Sequence, residues 1–274
     1  MDIRNYKEKI DVICPVYNHS EYLRQCLTSI LAQEDVFVFI HLIDDASSDQ
    51  SLEIAKDFSI NYPDQIKIYT NERNVGNAVK SISLHSILPI SKFCSYIEGD
   101  DFLLNPRKFI SQIERLREDD QLVATATQCL LWKMQNDERQ VIRPDISRWN
   151  FYDMISKKDR IGFYCHISSI VWKPELTRTS NSILPSFFLK KLINSEVFLT
   201  HLILKESRKY MEFQDIEGSC YRYTGKGIWS SLDQKNQAIL NEKLQVDLES
   251  ITPIWMKIRR KFIQKIVSIR SKIK

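Results

Sequence analysis

"VFVFIHLIDDASSDQS", residues 36–51, sets eight positions, apolar but for His41, directly against acids and small polar residues. A strand with one wet face alternates apolar and polar side chains. An unbroken apolar run is instead what a central parallel strand needs when helices cover both its faces. The flanking sequence extends that reading. "IDVICPVY" (10–17), "QIKIYT" (65–70) and "FCSYI" (93–97) are further strand-like runs. Between them, "SEYLRQCLTSILAQ" (20–33) spaces Leu23, Leu27, Ile30 and Leu31 along one helical face, and "SLEIAKDFS" and "NAVKSISLHSIL" are helix-patterned; "PRKFISQIERLRE" follows the fourth strand. Strands alternating with helices of this length build right-handed βαβ units. The expected fold is α/β, a Rossmann-like, mostly parallel sheet flanked by helices.

The second half is less regular. "QLVATATQCLLW" (121–132), "HISSIVW" (166–172) and "KYMEF" read as strands, and "SEVFLTHLILKES" (195–207) as an amphipathic helix. "YRYTGKGIWSSL" (221–232) reads as a Gly-containing loop and "DQKNQAILNEKLQVDLES" as a polar helix. No internal repeat breaks the chain. The partition is one domain, 1–232, whose regular and less regular halves meet at about 120, then a helical extension over 233–274.

Of 274 residues, 43% are hydrophobic and 27% charged, ordinary values for a globular protein. "MDIRNYKEKI" is too polar for a signal peptide, and no run of about 18 apolar residues appears, so a cytoplasmic protein without a spanning helix is expected. Six scattered cysteines with no CxxC pair read as reduced thiols. The net charge of +4 hides an asymmetry: residues 251–274 carry eight Lys/Arg and no acid, which leaves 4 − 8 = −4 for the rest. A nucleic-acid footprint over the domain is therefore not expected. Trp255, Ile258, Phe262, Ile266, Ile269 and Ile273 recur at helical steps among those basic residues. Such a helix suits an anionic membrane surface, or packing on protein.

Ligands of open parallel sheets gather beyond the carboxyl ends of the strands. There the sequence puts "PVYN" after the first strand, Asp44, Asp45 and Asp49 after the second, and Glu98, Asp100 and Asp101 after the fourth. Carboxylates brought together repel one another, and a hard divalent cation, Mg²⁺ or Mn²⁺, removes that penalty while gripping a diphosphate. Each acid loop could alternatively cap a helix, through Asp49 or Ser51.

"VICPVYNHSEYLRQCLTSILAQ", "IDDASSDQS", "NERNVGNA" and "YIEGDDFLLNPRKF" resemble, in order and spacing, the nucleotide-binding half of family-2 glycosyltransferases, inverting enzymes of the GT-A fold. "HISSIVWKPE", "NSEVFLTHLIL" and "YRYTGKGIWSS" resemble later blocks of a bacterial subgroup that builds surface polysaccharides, so the likeness spans roughly residues 10–232. It implies a nucleotide-sugar donor, UDP-linked by expectation, and a glycan or lipid-diphosphate-linked acceptor at the inner membrane face. It implies Pro15 and Tyr17 along the base and ribose and Asp45 accepting from the base; Lys80 is a candidate to face phosphate, the alternative being a solvated helix lysine. Asp100 and Asp101 fall at the metal-binding DxD position, with the register between them open. Glu196 matches the catalytic base, and Arg222, Lys226 and Trp229 lie in a segment able to close over diphosphate or acceptor. Departures are Glu98-Gly99 in place of the commoner Asp-Ser, no Arg-Asn after "NxG", and Thr224 where relatives show His. A sugar nucleotidyltransferase would want a Gly-rich basic loop where "PVYNHSEY" stands; a non-catalytic module recruited by its basic tail to membrane or nucleic acid is the third reading.

Overall fold

The computed structural model describes residue 6, residues 8–85, 87–156, 164–176 and 195–225, and scattered positions from 232 to 254. Four apolar runs form the strands expected of them: β1 (Glu8–Val16), β2 (Val36–Asp44), β3 (Ile66–Thr70) and β4 (Cys94–Tyr96). They pair in parallel in the order β3-β2-β1-β4. The sheet then continues through β9 (Ile170–Trp172), β6 (Leu122–Lys133), β10 (Tyr210–Tyr223) and β5 (Phe102–Leu103), with β7 (Glu138–Ile142) on β6 and β8 (Arg148–Asn150) on β10. β9 runs antiparallel to both β4 and β6, while β6 and β10 are parallel. One ten-stranded sheet thus carries both halves of the chain.

Period-two geometry sends alternate residues of β1 to opposite faces. Ile13 packs in a cluster with Val79 and Ile82 of α3 (Ala78–Ser83) and with Leu199 and Leu202 of α6 (Ser195–Ser207). Val12, Cys14 and Val16 join the opposite cluster with Leu23, Leu27 and Ile30 of α1 (Leu23–Leu31), Ile54 of α2 (Ser51–Asn61) and Phe109 and Ile113 of α4 (Lys108–Glu118). Each fully buried Leu or Ile contributes about 1.5–3 kcal/mol. That two-sided burial is why β1 and β2 read as unbroken apolar runs. All six cysteines are free and buried.

Three expectations need correction. "YRY" is not loop: Tyr221–Tyr223 belong to β10, paired with Leu131–Lys133 of β6, a partner about ninety positions away that no local pattern reveals. Helix α6 is not amphipathic through its middle, because residues 199–204 are all buried, Thr200 and His201 included. It packs against β6 and α5 (Phe151–Ser156). "HISSIVW" begins as a 3-10 turn at Ile167–Ser169, with the His166 ring accepting from the Ser168 N–H, and only Ile170–Trp172 is strand.

Lys108, at the start of α4, is fully buried. Its Nζ donates to Gln112 Oε1 at 2.8 Å, and Gln112 Nε2 donates in turn to the carbonyls of Thr125 and Ser169, tying α4 to β6 and to the turn before β9. Burial lowers the Lys108 ammonium to about 7. Its folded value therefore lies below the ordinary 10.5, and between these limits the unfolded chain binds more protons, so stability gains with rising pH. Denaturant titrations from pH 7 to 10 should show that gain in the wild type and a flatter profile in Lys108→Met. Parallel profiles would contradict a neutralised buried amine.

Candidate active site

Because β2, β1 and β4 are adjacent and parallel, the loops that leave their carboxyl ends meet at one edge of the sheet. The chain leaves β1 through Asn18 at φ 54° and β2 through Ala46 at φ 58°, left-handed turns that asparagine tolerates well and alanine less readily. These two loops are sewn together. Asn18 Oδ1 accepts from the Ser48 N–H at 2.8 Å, the Asn18 N–H donates to Ser47 Oγ, and the His19 N–H donates to Ser51 Oγ at 2.8 Å. Asp49 accepts from the Ser20 and Ser51 N–H groups. Burial opposes its charge, but the Ser51 and Ser20 hydrogen bonds outweigh burial and hold its carboxyl down to about 2. Asp49 is therefore spent on the loop and the start of α2, the alternative role that the sequence left open.

The other two acids of that loop also have protein partners. Asp44 Oδ2 accepts from the Ser47 N–H at 3.1 Å, while its Oδ1 is buried without a hydrogen-bond partner. Asp45 Oδ1 accepts from Asn71 Nδ2 at 2.6 Å, and both its oxygens lie 3.2 Å from the Val75 N–H. Asn71, just past β3, is held by His85 Nε2 on its own oxygen at 2.8 Å. Among the described residues no group of three or more His, Cys, Asp or Glu is arranged to hold a metal ion.

What remains is the "EGDD" turn. Asp101 has no exposure; its Oδ1 accepts from the Arg222 N–H at 3.2 Å and its Oδ2 is buried without a hydrogen-bond partner. Burial first, then the charges of Asp100 and Glu98, push its carboxyl well above the usual range. Asp100 is 8% exposed; its Oδ1 is likewise buried and unpartnered, and its Oδ2 stands 3.8 Å from His19 Nε2. His166, buried and stacked on Tyr221 at 4.3 Å between centroids, brings Nδ1 to 3.9 Å from Asp101 Oδ2. Asp100 Oδ1 and Asp101 Oδ2, together with Asp44 Oδ1 at the end of β2, are unpartnered carboxylate oxygens, hard donors of the kind Mg²⁺ or Mn²⁺ takes, and such an ion completes its shell with water and substrate phosphate. In donor chemistry the residues fit the cation.

The other sequence candidates divide. Pro15 is buried at the end of β1, and Tyr17 follows it 42% exposed, open to a planar ligand. Lys80 is exposed on α3, its N–H donating to Asn77 Oδ1. Arg222 is not on an open loop: it is 3% exposed and its guanidinium is engaged by protein groups. Glu196 is the second residue of α6, but its side chain lies outside the described residues, as do Lys226, Trp229 and positions 255–274 with their apolar stripe. Sequence reasoning missed His19, Asn71 and His166. The one available signal was position, since Asn71 directly follows β3 and His19 lies three residues past β1.

Residues 11–84 match the model of the family described as "Glycosyl transferase family 2". Over that stretch the chain is similar to glycosyltransferase family 2. Minor teichoic acid biosynthesis protein GgaA of Bacillus subtilis is 36% identical over 93 residues, 33% of this chain and 21% of that protein. The chain thus spans about a fifth of that relative. S. aureus TarS 1–349, solved in complex with UDP, superposes with a TM-score of 0.58 at 14% identity, over 85% of this chain and 69% of that one. Mannosyltransferase PcManGT from Pyrobaculum calidifontis, solved with GDP-Man and Mn²⁺, gives 0.52 at 13% identity over 83% and 60%. These superpositions show the GT-A fold that the resemblance implied, on the parallel sheet expected from the alternation of the first hundred residues.

Gly99 has a physical reason to lack a side chain here. A Cβ at that position would stand 2.8 Å from His19 Nδ1 and 3.0 Å from Val16 Cγ2. Gly99→Ala should displace the imidazole from Asp100 and cost about 1–3 kcal/mol, the usual penalty for overpacking. Chemical denaturation reads that loss, and a variant as stable as wild type would show that the imidazole has room to move.

Proposed function

We propose that the chain transfers a sugar, with inversion at the anomeric carbon, from a nucleoside-diphosphate donor, UDP-linked by preference, to a hydroxyl of a glycan or lipid-diphosphate-linked acceptor in bacterial surface-polysaccharide synthesis. The observation that carries the reading is the pair of buried, unpartnered carboxylate oxygens on Asp100 and Asp101, after β4 and beside the parallel strands β1, β2 and β3 of the stretch that matches the family model. The names of GgaA and of the UDP and GDP-Man complexes support the donor and pathway class.

Tyr17 and Pro15 flank the base in this reading. Asp45 already takes Asn71 and the Val75 amide, yet a carboxylate offers about four lone-pair sites, which leaves capacity for a base N–H. Asp100 is the better placed of the two acids to reach a cation, since Asp101 is wholly enclosed and gives Oδ1 to Arg222. A bound Mg²⁺ or Mn²⁺ supplies positive charge to the departing diphosphate. Glu196, at the start of α6, serves as general base for the acceptor hydroxyl. The apolar stripe of 255–274, flanked by basic residues within the extension over 233–274, docks the enzyme on an anionic membrane surface.

Thermal-shift titration with nucleoside diphosphates and Mn²⁺ or Mg²⁺ tests the donor: UDP with metal should raise Tm more than UDP with chelator. No shift with any nucleotide removes the reading. Glu196→Gln should abolish transfer while UDP binding survives, and unchanged turnover takes Glu196 out of the mechanism. Deleting residues 251–274 should end co-sedimentation with anionic liposomes; equal pelleting of both forms argues that the stripe packs on protein.

A further inference from the structure

Arg222 sits where a cation-rich loop was expected to meet phosphate, but its donors point inward to the protein. Nη1 donates to the carbonyl oxygen of Asp100 and Nη2 to Gln25 Oε1 on α1. Its own N–H donates to Asp101 Oδ1, so one residue of β10 holds the backbone of one acid and the side chain of the next. Its guanidinium carbon lies 5.1 Å from the Tyr22 ring centroid and 4.3 Å from that of Phe102, an arrangement that shields the charge from water. The Asp100 side chain, by contrast, keeps one buried oxygen without a partner.

We propose that Arg222 is a positioning residue for the acid turn: it fixes the backbone of Asp100 so that the carboxylate is held ready for a cation, and it acts on the donor only through Asp100. This rests on the metal–diphosphate reading above and deepens it. Among the described residues the turn's other backbone ties run from the Gly99 N–H to the Pro15 carbonyl, from the Asp101 N–H to the Glu98 carbonyl and from Cys26 Sγ to the Glu98 carbonyl; none engages the Asp100 carbonyl. A planar, doubly donating guanidinium is the group suited to reach a carbonyl and an amide oxygen together, which a lysine ammonium does less well.

The test is calorimetric titration of UDP in Mn²⁺ and again in EDTA, for wild type, Arg222→Gln, Asp100→Asn and the double variant. Arg222→Gln should weaken Mn²⁺-dependent UDP binding by about 10- to 100-fold, as loss of outer-shell support for a metal ligand does. UDP affinity in EDTA should change by less than about twofold, and Arg222→Gln should add nothing in the Asp100→Asn background, since two residues acting through one group are not additive. Equal loss in EDTA overturns the proposal in favour of direct phosphate contact, and additive losses overturn it as well. If Arg222→Gln does not fold, Gln25→Leu releases one arm from an exposed helix position and should weaken Mn²⁺-dependent binding alone; unchanged binding counts against the proposal. A wild type that binds UDP equally with and without Mn²⁺ overturns the metal reading itself, a result distinct from wild-type binding that the variants leave unchanged.

Discussion

A carboxyl group with no access to water, Asp101, is the constraint around which the site is built. Removing a carboxylate from solvent is costly unless donors replace the water, and here burial together with Asp100 and Glu98 pushes its proton affinity up. The replacement donor is the backbone N–H of Arg222, 121 residues downstream, with the His166 ring beyond hydrogen-bonding distance at 3.9 Å. The first hundred residues therefore supply the acids, but β10 makes their burial tolerable. This physical dependence explains why the sheet does not divide: β10 also pairs with β5, directly after the acid turn, at Ser219 and Cys220.

The neighbouring loops follow a different economy. Between β1 and α1, and between β2 and α2, polar side chains mostly satisfy each other's backbone amides. Asp49 and Asp44 hold loop shape, and Asp45 is itself positioned by Asn71 and Val75. Acids of one chemical type have thus been given separate tasks by their surroundings. A charge count along the sequence treats them alike, because it records neither which N–H each oxygen faces nor which oxygen is left over.

Much of the fold was legible. The unbroken apolar runs of β1 and β2, and the spacing of Leu23, Leu27 and Ile30, encode two-sided burial locally, so strands, helices and the parallel first half could be read from pattern alone. What could not be read was whatever depends on a distant partner. Tyr221–Tyr223 look like loop beside two glycines, yet ladder bonds to β6 make them strand. Residues 199–204 mix polar with apolar side chains, yet α6 is enclosed there by β6 and α5.

The sequence alone determined which residue types stand at the carboxyl ends of the strands, because strand period and helix period are properties of neighbours along the chain. It placed the proposed nucleotide and acid positions, Tyr17, Asp45, Asp100 and Asp101, on that edge. Only tertiary structure decided that Asp101 is wholly enclosed, that Asp100 and Asp101 each keep one buried oxygen without a partner, that His19 needs the space Gly99 leaves, and that Arg222 faces the protein. Those outcomes depend on burial and on hydrogen-bond partners up to 197 residues apart, which no local periodicity encodes.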